Sequence, residues 1–405
     1  MRGAEMSLAG ADICALCGGS ATAVSPGAGP APAAAFSGVT SDIKPWPRMG
    51  GILCCEACGH VQKRLDGQWR ADAAAIYADY VMYHLSGGTE QVVFDTGQAC
   101  PRTSRLITGM SRAWDLPQTG RLLDVGCGGG AFLAAFRQAM PGWKLYGHDH
   151  CAQRQAEVEA VPGVCGFHCG ALEEAAAQNG PFDAVSLIYV LEHMPEPVAE
   201  LTRLRGLLKP DGTLMVMVPD FAQNPFDLAV VDHCGHFFAE TLAHAAELAG
   251  FDVLALGRHW MAKEVGFLAR PRAGASASAP ASDDLAPRRG LALAQGSLDW
   301  LRRTVDTARN AAEALHAKGR SFALFGTAIA GSWLAQELPG HVDCFVDEDG
   351  LRWGKTHLGL PISGPADVAP GTGLFLGFPP ELASSIAKRL GPAHPGLELL
   401  LPAPR

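Results

Sequence analysis

The sequence predicts an α/β protein built from several lobes, and three observations predict it. Apolar runs of strand length alternate with helical segments through the middle of the chain, two separate strand–glycine turn–helix units occur, and two Cys-x-x-Cys pairs stand near the start. At 405 residues, 48% of them hydrophobic, the chain can fill two or three cores. Its formal charge of −9 gives no overall attraction to a phosphate backbone, so no nucleic-acid partner is expected. No apolar run approaches the roughly 20 residues of a membrane-spanning helix, and residues 1–30 hold no continuous apolar segment of a signal peptide. The expected setting is therefore cytoplasmic, with no membrane partner.

Residues 1–75 are rich in Gly, Pro, Ala and Cys, with too few periodic apolar positions to bury a core unaided. Cys14-x-x-Cys17 and Cys55-x-x-Cys58 supply what is missing. Each turn points two thiolates at one ion, and four soft ligands suit a tetrahedral zinc with no position left for water. The zinc would be structural. Cys54 is an alternative ligand to Cys55, and His60 is a further candidate. The remaining cysteines read as small buried apolar residues rather than disulfides, given a reducing compartment. Residues 76–118 follow as an aromatic, helical connecting or lid segment that includes Tyr77, Tyr80, Tyr83 and Trp114.

Residues 119–270 form the expected core. Candidate strands are Arg121–Val125, Lys144–His148, Val164–Phe167, Phe182–Ile188 and Thr213–Val218, with helical spacing in Ala131–Ala139, Pro197–Leu207 and Ala239–Ala249. The first strand runs into Asp124-Val125-Gly126-Cys127-Gly128-Gly129-Gly130. Glycines there permit positive φ and let the backbone approach a ligand without a Cβ in the way. A diphosphate would want Gly-x-Gly-x-x-Gly. The observed Gly126-x-Gly128-x-Gly130, with Asp124 before it, better suits a zwitterionic amino-acid tail, and the run looks like the turn that holds S-adenosylmethionine (SAM). Asp149 ends the next strand, where a carboxylate can accept both ribose hydroxyls. The flanking His148 and His150 are expected to face solvent.

Residues 271–290 are of low complexity and read as a flexible linker. In residues 291–405 a long helix, Leu291–Lys318, precedes the strand Phe322–Phe325, the glycine turn Gly326–Gly331 and a second strand, Asp343–Val346. This is a second, smaller Rossmann-like unit. Its turn is either a packing remnant or a second nucleotide site, with Asp347 as the acid that a ribose would need.

The glycine turn with Asp124 and Asp149, followed by Phe182-Asp183-Ala184-Val185, Leu191-Glu192-His193-Met194-Pro195 and Leu207-Leu208-Lys209-Pro210-Asp211-Gly212, resembles class I SAM-dependent methyltransferases over residues 119–255. The wider plan joins a zinc-binding lobe, a Rossmann-like class I methyltransferase core and a C-terminal Rossmann-like domain. That plan is similar to the zinc-binding C-methyltransferases of nucleoside-diphosphate (NDP) sugars. Cys55-Glu56-Ala57-Cys58-Gly59-His60, Tyr83-His84-Leu85-Ser86-Gly87 and Val230-Val231-Asp232-His233 match in order. The resemblance implies a sugar-nucleotide acceptor and SAM as donor. It implies His233 as base with Asp232 beside it, and His193 and Tyr83 steadying substrate oxygens. The chain departs from the family pattern at Asp232, where Glu is usual, and at Val230, where Tyr is often found. Three alternatives stay open: an O-methyltransferase, a zinc-finger RNA methyltransferase, and a non-catalytic SAM-binding scaffold. The acidic charge and the lack of a basic stripe count against RNA, and an intact site counts against the scaffold.

Overall fold

A computed structural model describes residues 12–25, 36–82, 84–95, 98–274 and 285–405. The N-terminal lobe is a small antiparallel sheet of β1 (Ala21–Ala23), β2 (Ile52–Cys55) and β3 (Val61–Lys63). β2 and β3 are buried along their whole length, which a free-standing edge sheet could not be. Gly59 makes the turn between them at φ +73°, and a Cβ there would lie 2.1 Å from the Ala286 carbonyl oxygen. Glycine is required because two backbones meet at that point. The helix α1 (Gly67–Ala78) follows, capped by Asp66, whose carboxylate accepts from the Trp69 N–H at 2.9 Å. It begins earlier than the connecting segment read from sequence.

A second helix, α2 (Arg102–Met110), leads to the core, whose strands are β4 (Arg121–Val125), β5 (Lys144–Asp149), β6 (Val164–Cys169), β7 (Phe182–Ile188) and β8 (Leu208–Pro219). Between them run α3 (Ala131–Ala139) and α4 (Pro197–Leu207). After the two-residue strand β9 (Gly235–His236) come α5 (Ala239–Leu248), β10 (Phe251–Gly257) and β11 (Glu264–Pro271). The sheet order is β6-β5-β4-β7-β8-β11-β10. β4 to β8 pair in parallel, while β11 runs antiparallel between β8 and β10. The switch in strand order beside β4 opens the crevice where such sheets bind ligands. Phe132, Leu133 and Phe136 of α3 cover one face, and Leu201 and Leu204 of α4 cover the other.

The long helix α6 (Leu285–His316) begins inside the stretch read as a linker; residues 275–284 lie outside those described. Its buried positions Ala294, Leu298, Leu301, Val305, Ala308 and Ala312 recur at three and four residues and make one apolar stripe. That stripe joins Val39, Ile52 and Val61 of the lobe to Phe322 and Leu324 of the C-terminal domain in one cluster. Trp300 is fully buried at its centre, edge-on to Phe226 at 5.4 Å, and donates from its indole N–H to the Ala403 carbonyl at 2.7 Å.

The C-terminal domain continues with β12 (Phe322–Phe325), α7 (Ile329–Glu337) and β13 (Cys344–Val346), part of a six-stranded sheet. Asp347 does not stand ready for a ribose. Its carboxylate accepts from the Thr327 N–H and hydroxyl at 3.0 and 2.7 Å and pairs with Arg352 at 3.2 Å. Arg352 also donates to Ser86 at 3.2 Å, so the network latches this domain onto the segment after Tyr83. No described helix is long and apolar enough to cross a membrane. Trp300→Ala should destabilise the protein by roughly 3–5 kcal/mol in denaturant unfolding, from lost burial and the cavity left behind.

Candidate active site and cysteine cluster

The three glycines of the turn adopt left-handed backbone, with φ of +71° at Gly126, +51° at Gly128 and +79° at Gly130. A Cβ on Gly126 would stand 2.5 Å from Val190 Cγ2. The turn hangs from β5: the N–H groups of Gly126 and Cys127 donate to the His148 carbonyl at 2.8 and 3.0 Å, and Gly128 N–H donates to Asp149 Oδ2 at 3.0 Å. Asp149 thus shapes the glycine turn from the end of its strand and retains lone pairs for a ligand hydroxyl. Asp124 lies beneath, buried, and accepts from the Ser186 hydroxyl on β7 at 2.7 Å. Burial pushes its carboxyl up to about 7. His148 is buried rather than solvent-facing, because its Nε2 bonds the Gly170 carbonyl at 2.8 Å; His150 is exposed as expected.

Some 40 residues beyond β7, a short 3-10 turn at Pro225–Ala229 carries Asp227 into the interior. Its Oδ1 accepts from His233 Nδ1 and its Oδ2 from His236 Nδ1, both at 2.7 Å. The carboxylate partner of His233 is therefore Asp227, not Asp232. The Asp232 carboxylate instead accepts from the Ser41 N–H at 2.9 Å and hydroxyl at 2.5 Å and lies 3.5 Å from His193 Nδ1. With Nδ1–H committed to Asp227, a neutral His233 holds its lone pair on Nε2, the arrangement of an oriented base. Burial would raise the Asp227 carboxyl, yet the two imidazoles outweigh it and hold the group well below the usual carboxylate range. Burial would lower His233, yet the Asp227 carboxylate outweighs it and raises the imidazole above its ordinary value.

His193 stands edge-on to His233, with ring centroids 4.6 Å apart. Its Nδ1 donates to the Asp232 carbonyl at 3.1 Å and lies 3.0 Å from the Tyr77 hydroxyl. Burial and the neighbouring His233 push it down to about 4, so it is neutral near pH 7. Tyr83 lies outside the described residues, and the phenol that meets His193 is that of Tyr77. Glu192 is buried, within 4.8 Å of ring nitrogens of His193 and His233, and its Oε2 has no partner among the described residues. Burial raises its carboxyl to about 8. Asp227 and His236 were not named from sequence, and Glu192 and Tyr77 were named only within a motif and the lid segment, with no role. An Asp six residues before a buried His was the available signal, and the flanking Phe226, Leu228 and Ala229 masked it as core.

The four cysteines Cys14, Cys17, Cys55 and Cys58 converge, with all sulfurs within 4.8 Å of one another. Cys14 and Cys58 are 3.6 Å apart and Cys17 and Cys55 3.5 Å apart. Tetrahedral zinc with Zn–S near 2.3 Å would set its sulfurs about 3.8 Å apart, so the donor set fits that ion in number, chemistry and spacing. Cys54 points elsewhere, toward the carbonyls of Cys55 and Gly59, and burial pushes its thiol up to about 12. His60 is buried against Phe237, outside the sulfur cluster. Among the other cysteines, Cys127 and Cys234 are buried, but Cys151, Cys165 and Cys169 are exposed, contrary to the sequence reading.

Residues 101–256 match the family model of a methyltransferase domain. Over those residues the core is similar to a methyltransferase domain. Ubiquinone biosynthesis O-methyltransferase of Xanthomonas campestris pv. campestris is 33% identical over 121 residues, which cover 27% of this chain and 48% of that protein. Its namesake in Xanthomonas oryzae pv. oryzae is 36% identical over 117 residues, with 27% and 48% covered. The chain spans about half the length of the curated relatives it matches. Human N-acetylserotonin methyltransferase in complex with SAM is a similar solved structure, with TM-score 0.36, 19% identity, and 41% of this chain and 51% of that chain covered. In the matched core, Gly126→Ala should cost SAM at least roughly tenfold in affinity by calorimetry, about 1.4 kcal/mol, because the methyl strains the turn and strikes Val190.

Proposed function

We propose that the protein is a SAM-dependent methyltransferase that methylates the carbon beside a ketone in a nucleoside-diphosphate keto-sugar, with His233 as base. The observation that carries this reading is the buried Asp227–His233 pair at 2.7 Å, which leaves Nε2 available as a proton acceptor. Bound SAM supplies an electrophilic methyl on sulfonium, so the protein's task is to make and align the nucleophile. The Nε2 lone pair takes the α-proton, the C–H electron pair moves into the enolate, and Asp227 stabilises the resulting imidazolium. Glu192, held largely protonated near neutral pH by burial, donates its O–H to the enolate oxygen. Tyr77 and His193 keep the far wall of the site in register. The keto-sugar acceptor rests on the resemblance of the three-part plan and its motifs.

Oxygen as acceptor is the second reading, favoured by the O-methyltransferase names of the curated relatives. The same base would serve it. The two separate in deuterium oxide with a panel of keto-sugar nucleotides. Carbon chemistry predicts α-carbon exchange and a 14-dalton gain on carbon, both lost in His233→Ala, with turnover down by roughly 10²–10⁴. Exchange that survives in that variant would remove His233 from the role.

The cysteine cluster is proposed to hold structural zinc. The purified protein should contain one zinc per chain by elemental analysis, Cys55→Ser should lose it, and its thermal midpoint should fall by several degrees. A metal-free protein of unchanged midpoint would contradict the assignment.

A further inference from the structure

His236 is fully buried on β9, yet the base mechanism makes no use of it. Its Nδ1–H occupies Oδ2 of Asp227 while His233 occupies Oδ1. A carboxylate shared in this way divides its charge between two donors. How much reaches His233 then depends on the second donor.

The second donor is held by the lobe, not by the core. β9 pairs with β3 in the register Gly235↔Gln62 and His236↔Val61. The Gln62 side chain reaches into the first cysteine knuckle, accepting from Ala15 N–H at 2.7 Å and donating to the Ile13 carbonyl at 3.0 Å. Lys63 donates to the carbonyl of Leu228, next to Asp227, at 2.6 Å, and to that of Met49 at 2.8 Å. The turn that carries Asp227 and the strand that carries His236 are thus clamped from the lobe side.

We infer that His236 is a positioning residue that sets the basicity of His233 through their common acceptor, Asp227. This inference rests on the proposed role of His233 as base. The charged and titratable groups facing His233 are Asp227, Glu192, His193, Asp232 and His236, with Lys63 behind Asp227. Burial pushes His236 down to about 4, so across the working range it donates as a neutral imidazole and its own charge does not change. Without that donor, the full negative charge of Asp227 falls on His233. The imidazolium is then favoured, and a higher pH is needed to free Nε2.

The experiment compares His236→Leu, which removes the donor, with His236→Asn, whose amide N–H can take the place of Nδ1–H. The acid limb of the pH–kcat profile should move up by about one unit in His236→Leu, with KM little changed, and return to the wild-type position in His236→Asn. Nitrogen NMR of labelled histidine should show the same displacement in the titration of His233 itself. A displaced titration beside an unmoved kinetic limb supports the control by His236 and takes His233 out of the base role. An unmoved His233 titration in His236→Leu, or identical behaviour of the two variants, overturns the inference. Should His236→Leu fail to fold, the wild-type protein answers alone: the His236 Nδ1–H resonance must shift as His233 titrates, and indifference overturns the inference.

Discussion

Asp227 is an ionised carboxylate in the interior, and much of the site is arranged around satisfying it. A bare buried carboxylate would cost several kcal/mol. Two imidazole N–H groups remove that cost, and each is thereby fixed in ring orientation and tautomer. The turn that carries Asp227 is in turn held by a buried Lys63, whose ammonium lies on two backbone carbonyls and is pushed down to about 7 by burial. Carboxylate and base come from one stretch, residues 227–233, and the clamp Lys63 comes from the lobe, so the docked lobe helps to complete the centre.

That dependence explains the three-part architecture better than three independent modules would. Ile52, Cys54 and Val61 of β2 and β3 are buried in one cluster with Phe221, Phe226, Phe238 and the stripe of α6. The cysteine knuckles contribute Cys14, Leu16, Cys55 and Cys58 to the cluster that also contains Leu187, Leu191 and Phe237. The lobe therefore packs between the core sheet and the C-terminal domain. Arg352 and Lys355 close the far side by binding Ser86 and the Leu85 carbonyl.

The parts of this design that were legible in the sequence are those set by local rules. Gly126, Gly128 and Gly130 needed left-handed backbone, and the strand before them and Asp149 after them follow from one βαβ unit. The knuckles announced themselves by spacing. Helices Ala131–Ala139 and Pro197–Leu207 followed from periodicity. Asp227 was hidden because its partners depend on a tight turn rather than on neighbourhood: Asp232 is adjacent to His233 in sequence, but its carboxylate is captured by Ser41. Nothing local in the sequence reveals that Lys63 is fully buried. β11 was missed because its apolar run, buried on both faces, lacks the alternation that marks a strand.

Strand β9 has two residues, yet it completes the edge of a sheet whose other strands lie some 170 residues upstream. On the ribosome, Val61 to Lys63 emerge long before Gly235 and His236 are made. Through that interval the apolar border of β3 has no native neighbour, and a free strand border is an invitation to wrong partners. The metal proposed for the knuckles would keep the nascent hairpin compact during that wait, so its supply at translation would bear on how much protein assembles correctly.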